Sequence, residues 1–253
     1  MQLEQHQRRP FLGRLRVPCP VGVAPDLSTP EGKVVISRNL KEYYALRAEE
    51  YEKVYANPSR QESIKWLQSL LRQLFVGKRV LEVSCGTGYW TPTLASVAES
   101  VLATDINESV LDMARGKSYL QENVDFQLAD AFSLDQVEGV FDAGFSGFWW
   151  SHVSRERLRA FLDSLHGQLQ PGAVVVFADN HPSEDLHGRR SEYVDGAGNQ
   201  YSLRDLEDGR QYEIIKNFPT EAEIQAALEG VGDEVQYFQS PCYWCVSYRT
   251  CSR

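Results

Sequence analysis

Val80-Leu81-Glu82-Val83-Ser84-Cys85-Gly86-Thr87-Gly88-Tyr89-Trp90 decides the fold of this 253-residue chain. Arg79 to Val83 is apolar and β-branched enough to form a strand buried on both faces. Gly86 and Gly88 then allow a tight turn that brings backbone N–H groups against a ligand with no Cβ in the way, and a helix is expected from near Tyr89. Ser100-Val101-Leu102-Ala103-Thr104 reads as the next strand. Asp105 stands at its carboxyl end, where a carboxylate can accept both hydroxyls of a ribose. Val124-Asp125-Phe126-Gln127-Leu128-Ala129 reads as a third strand, followed by Asp130, which suits an exocyclic adenine amine. Glu82, Asp105 and Asp130, one at the end of each of three successive strands, fit the rule that open α/β sheets bind ligands outside their carboxyl edge. They point to a nucleoside-binding crevice.

The turn narrows the choice of nucleoside. A dinucleotide fingerprint needs a third glycine, Gly-x-Gly-x-x-Gly, and here Thr91 takes that place. Glu82 would also set negative charge close to a diphosphate, whereas it suits an amino group or a sulfonium. Leu81-Glu82-Val83-Ser84-Cys85-Gly86-Thr87-Gly88 resembles the first motif of class I S-adenosylmethionine-dependent methyltransferases. Asp105 resembles that family's ribose-binding acid and Ala129-Asp130-Ala131-Phe132 its adenine-binding segment, in a likeness running from about Tyr43 to about Tyr248. Ser84 departs from it, standing where the family more often has glycine or alanine. The resemblance implies a doubly wound, mostly parallel seven-stranded sheet of Rossmann-like type, and S-adenosylmethionine (SAM) as cofactor. Cofactor contacts are then expected from Tyr44, Arg47, Glu82, Ser84, Cys85, Gly86, Gly88, Trp90, Asp105, Ile106, Asp130, Ala131, Phe132 and Ser146. Each feature alone also reads as ordinary structure: a plain strand-to-helix turn, or Asp105 and Asp130 capping helices. Their joint occurrence in order favours the cofactor.

Composition bounds the rest. A hydrophobic content of 42% can bury one substantial core, and the length suits one domain with an appendage. The net charge of −9 argues against a surface built to neutralise phosphates, so nucleic acid is not an expected partner. Nucleic-acid base methyltransferases carry Asn or Asp with Pro-Pro and an aromatic after the fourth strand, and Ser146-Gly147-Phe148-Trp149 stands there instead. No apolar stretch approaches the ~20 residues needed to span a bilayer, and no hydrophobic leader is seen, so a cytoplasmic protein is expected. Five cysteines at irregular spacing fit a reducing compartment. Cys242 and Cys245 form a Cys-x-x-Cys within a predicted strand, where the two side chains should face opposite ways, and no metal site is expected.

Residues 1–36, with five prolines, read as an irregular arm, and 37–253 as a single domain. Within it, Leu40 to Tyr55 is helix-prone and ends at Asn57-Pro58, giving a cap helix over 40–56. Gln61 to Phe75 is an amphipathic helix through Ile64, Leu67, Leu71 and Leu74. A fourth strand is predicted at Val140–Phe145, a helix at Arg155–Leu169 and a fifth strand at Ala173–Ala178. Residues 180–218 break the alternation with a β-hairpin, 199–204 and 210–215, placed to lie over the pocket. Thr220 and Glu223 then form a capping box, and two strands near 235–238 and 244–249 close the domain.

Methyl transfer from a sulfonium demands alignment and a dry cavity more than catalytic side chains. Should the acceptor need deprotonation, His152, after the fourth strand, is the first candidate base and His181 the second; the competing reading is of ordinary loop or capping histidines. Tyr43, Phe148, Trp149 and Trp150 are candidate acceptor contacts, with core packing as the alternative for at least one of the aromatics after the fourth strand. Tyr43-x-x-x-Arg47-x-x-x-Tyr51 resembles the cofactor-covering helix of small-molecule methyltransferases, where Arg47 could pair with the cofactor's carboxylate. The expected activity is methylation of an O or N atom of a small-molecule acceptor. A non-catalytic SAM-binding protein and, more distantly, a nicotinamide-dependent oxidoreductase are the rivals.

Overall fold

The computed structural model describes residues 36–181 and 189–251; most of the predicted N-terminal arm lies outside them. Strands β2 (Arg79–Val83), β3 (Ser100–Asp105), β4 (Val124–Leu128), β5 (Phe141–Gly147) and β6 (Leu169–Asn180) are mutually parallel. With the antiparallel pair β10 (Gly232–Gln239) and β11 (Tyr243–Thr250) they make a seven-stranded sheet, ordered β10-β11-β6-β5-β2-β3-β4. Chain order reverses between β2 and β5, so the crevice at the sheet's carboxyl edge opens beside β2, where doubly wound sheets bind ligands.

Alternation of side chains splits the core into two layers. Val80, Val176, Ala178 and Cys245 face the layer of α2 (Gln61–Leu74) and α3 (Thr91–Ala95). Leu81, Val83, Val175 and Phe177 face α5 (Leu158–His166) and α6 (Glu221–Leu228). Ile64, Leu67 and Leu71 fill the buried stripe of α2, and the Thr220–Glu223 capping box opens α6, both as the periodicity predicts.

Several boundaries differ from the sequence reading. The helix after the glycine turn starts at Thr91 rather than Tyr89 and has Pro92 in its first turn, where proline's missing N–H costs nothing. Helix α1 (Leu40–Tyr51) is capped by Asn39 and tightens into a 3-10 turn over Glu52–Ala56. A 3-10 turn also precedes α5, and β6 begins at Leu169, so the Gln170-Pro171-Gly172 segment belongs to the strand. The inserted hairpin is β8 (Gln200–Asp205) with β9 (Gln211–Ile215), but it belongs to a four-stranded sheet: β7 (Arg189–Val194) pairs with β8, and β1 (Ile36–Ser37) runs parallel to β9. A two-residue strand carries too little periodicity to be read in advance. Cys242 precedes β11 instead of lying in it, so it packs in the same core layer as Cys245; both are free, buried thiols. Among the described residues no helix is long and apolar enough to cross a membrane, and no three-residue group could hold a metal.

Candidate cofactor and acceptor site

The glycine turn is wired to Asp105. Gly86 N–H donates to Asp105 Oδ2 and Asn107 N–H to Oδ1, each at 2.9 Å, while Cys85 N–H donates to Thr104 O at 2.9 Å. Burial raises the Asp105 carboxyl, and these backbone donors pull it back. A carboxylate has about four acceptor sites, so Asp105, which lines the crevice, keeps acceptor capacity beyond these bonds. Ser84 has φ +58°, Gly86 +56° and Gly88 +73°, so Ser84 adopts the left-handed conformation that glycine takes more readily. At Gly88 a Cβ would meet Ala114 Cβ at 2.8 Å. That glycine lets the turn pack against α4 (Glu108–Arg115) and does not itself face the crevice.

A cavity of about 340 Å³ extends from this turn. Asp130, Ala131 and Phe132 line one side; Phe132 N–H donates to Asp130 Oδ1 at 2.9 Å, and Arg157 lies 3.5 Å over the Phe132 ring. Helix α1 roofs it with Leu40, Lys41, Tyr44, Ala48 and Tyr51, and Asn107 Nδ2 donates to Lys41 O at 3.2 Å. The far wall is aromatic. Tyr55 stacks on Tyr89 at 3.7 Å, Trp90 on Phe148 at 5.7 Å, and Trp149 adds a buried indole N–H that finds no partner among the described residues. Such rings suit a cation.

Under the turn lies Glu82, only 2% exposed, its Oε2 without a partner among the described residues. Burial pushes its carboxyl up to about 8, against the opposing pull of Thr91 and Lys117.

The family described as "Methyltransferase domain" matches residues 80–172. The chain is 32% identical over 116 residues to a demethylmenaquinone methyltransferase of Staphylococcus aureus (strain MRSA252), 44% of this chain and 47% of that one. The chain thus spans about half the length of that curated relative. A solved structure described as a DhpI–SAH complex superposes with TM-score 0.68 at 29% identity, covering 84% of this chain and 95% of that one. A DhpI–SAM–HEP complex gives 0.66 at 28% identity, covering 82% and 94%. The chain carries a class I SAM-dependent methyltransferase domain. Its cofactor is SAM, and the cavity has the chemistry such a group needs: the Asp105 carboxylate and the Asp130–Phe132 segment stand in its wall beside aromatic rings that suit a sulfonium, while Glu82, buried beneath the turn, lines neither cavity.

Most of the residues expected from sequence converge on this methyltransferase cavity. Tyr44, Ser84, Cys85, Gly86, Trp90, Asp105, Ile106, Asp130, Ala131, Phe132, Phe148, Trp149 and His152 all line it. Others sit elsewhere. Ser146 is buried behind the crevice and Trp150 is core, 5.0 Å from Phe177. Tyr43 packs with Tyr212 and Ile214 and accepts from Arg47 Nη1 at 2.6 Å, while Arg47 faces a second cavity. His181 lines neither cavity; its N–H donates to Cys242 O at 2.8 Å. His6 and His187 lie outside the described residues. Leu40, Tyr55, Tyr89, Asn107 and Arg157 line the methyltransferase cavity without any motif to announce them.

His152 lines both this cavity and the second one. Its Nδ1 lies 2.7 Å from Ile215 O, which can only accept, so Nδ1 carries the proton and Nε2 accepts from the Tyr44 hydroxyl at 2.7 Å. Burial, helped by Lys216, lowers the imidazole to about 3, so it is neutral at physiological pH. Behind it, Lys216 Nζ donates to Ser151 Oγ at 2.7 Å and to Asp179 Oδ1 at 3.1 Å.

Proposed function

We propose that the chain transfers a methyl group from SAM to an oxygen of a small acceptor that arrives already ionised, with Tyr44 and His152 bounding the space that oxygen enters rather than deprotonating it. The observation that carries this reading is the state of His152. Both ring nitrogens are engaged, and a buried imidazole held down to about 3 is a poor base for an ordinary hydroxyl. An oxyanion needs no base.

Bound in the larger cavity, SAM supplies a methyl carbon activated by its sulfonium. Transfer to an oxygen that is already negative would form the C–O bond as the C–S bond breaks, with the bonding pair left on sulfur, and would leave no proton for the chain to remove. The chain contributes alignment and dryness: Asp105 and the Asp130–Phe132 segment fix the nucleoside, the tyrosines of α1 cover it, and Phe148 and Trp149 bound the reaction space.

The demethylmenaquinone named for the curated relative suggests a quinone as a second reading. The small space beyond His152, with Arg47, Arg60, Arg204 and Lys216 among aromatic and apolar side chains in its walls, favours an anion. An oxidoreductase reading is disfavoured by Thr91 in place of a third glycine. Turnover of methyl-labelled SAM on a panel of small carboxylates, phosphonates, phenols and amines tests the proposal. Methylation at oxygen is expected, with kcat flat between about pH 6 and 8. A rise in kcat that follows a histidine-like titration, transfer to nitrogen only, or binding of SAM with no transfer to any of them would defeat it.

A further inference from the structure

A second, smaller cavity of about 70 Å³ lies beyond Tyr44 and His152, which line both cavities. About 10–15 Å³ of such space holds a water molecule, so it admits a group of several heavy atoms. Four cationic side chains, Arg47, Arg60, Arg204 and Lys216, line it, and no carboxylate does so among the described residues. Arg60, Arg204 and Lys216 are 3%, 8% and 6% exposed. Lys216 is ion-paired with buried Asp179, and the guanidinium groups that share this space give it a positive potential that suits an anion.

The four are also held in place. Arg60 Nη1 donates to Asn180 Oδ1 at 2.9 Å, Arg47 Nη1 to Tyr43 Oη, and Lys216 to Ser151 and Asp179; Arg204 is likewise engaged. They come from α1, the turn before α2, β8 and the residue after β9, four separate segments of chain aimed at one point. Fixed donors of this kind recognise compact oxyanions at little entropic cost.

We infer that this cavity is an oxyanion subsite, binding a carboxylate or a tetrahedral phosphorus oxyanion of the acceptor so that one oxygen reaches past Tyr44 and His152 toward the methyl donor. This rests on the reading proposed above and adds the acceptor's chemical class. The space is too small for a macromolecular ligand.

Isothermal titration of inorganic phosphate, methylphosphonate and acetate into the SAH-loaded protein tests it. At least one is expected to bind saturably at one site per chain, and the order of affinity among the three tells tetrahedral from planar recognition, either order supporting the subsite. Arg204→Gln and Lys216→Gln should each weaken that binding about tenfold or more while SAH affinity stays within about threefold. Should either variant fail to fold, Arg47→Gln, on the cap helix, gives the same readout. The inference is overturned if the wild-type protein binds SAH but none of the three anions, or if anion affinity is unchanged in the folded variants. Failure of the methylation reading shows differently: anions and SAH would bind, and no label would move.

Discussion

Asp105 holds the glycine turn through the Gly86 and Asn107 N–H groups, and in the proposed site the same carboxylate would take the ribose. Asp105→Ala removes both, so SAH affinity should fall by about 10- to 100-fold in calorimetry, while Asp130→Ala, which loses one turn bond to Phe132, should cost less. An equal or reversed ranking would show that the turn does not depend on Asp105. Glu82 gives a pH test. Its carboxyl is raised from about 4.5 to about 8 by burial, so the stability it confers is complete below pH 4.5 and is lost as pH climbs through 8. Glu82→Gln cannot ionise and escapes that loss. Its unliganded Tm should overtake the parent's as pH rises from 5 to 8.5, by roughly 2–4 kcal/mol or about 5–10 °C. Parallel Tm curves would mean that the Glu82 carboxyl is not raised.

Helix α1 is the element on which both cavities depend, and its stability is not that of a core helix. Only Tyr43 and Ala48 are buried along it. It is held by individual bonds: Asn107 to Lys41 O, Tyr44 to His152, and Glu52, which accepts from Thr87 Oγ1 at 2.6 Å and pairs with Lys117. Glu52→Gln weakens the tie between the end of this cap and the glycine turn. It should speed SAH release about three- to tenfold in stopped flow, with Tm nearly unchanged, because a half-exposed pair contributes only ~1 kcal/mol or less; an unaltered release rate would mean that the cap does not gate the cofactor. The strands of the main sheet were readable because β-branched runs bounded by glycine and acidic residues have few other uses, as at Val80–Val83 and Val101–Asp105. On α1, Tyr44, Arg47 and Tyr51 all line the smaller cavity. What escaped was set by tertiary contact. Arg60 sits in an unremarkable turn before α2, Arg204 looks like one charged residue of a hairpin, and β1 becomes a strand only because β9 lies beside it. Arg47 had a partner assigned by likeness, and its place in the smaller cavity followed only from where β8 and β9 bring Arg204 and Lys216.

At the scale of the molecule, the seven-stranded sheet presents the edge that lines the larger cavity, the four-stranded sheet brings Arg204 and Lys216 to the smaller one, and the two meet through a few bonds. Asn217 N–H donates to Ser151 O at 2.8 Å and Asn217 Nδ2 to Val153 O at 3.0 Å, so the loop after β5 and the end of β9 act as one seam, with Tyr44 of α1 bonded across it. A ligand in either cavity therefore orders α1, and the second ligand has less left to order, which is positive coupling without a change of fold. Hydrogen exchange makes this visible. SAH alone should protect 84–90, 105–110 and 130–133 together with α1, and a saturating oxyanion alone should protect 200–217 together with α1. The edge strand β10, remote from both in strand order, should exchange as before. If each ligand protects its own cavity and leaves α1 untouched, the helix is a passive cover and the two sites are energetically separate; protection of α1 by both makes it the element through which cofactor and acceptor sense each other.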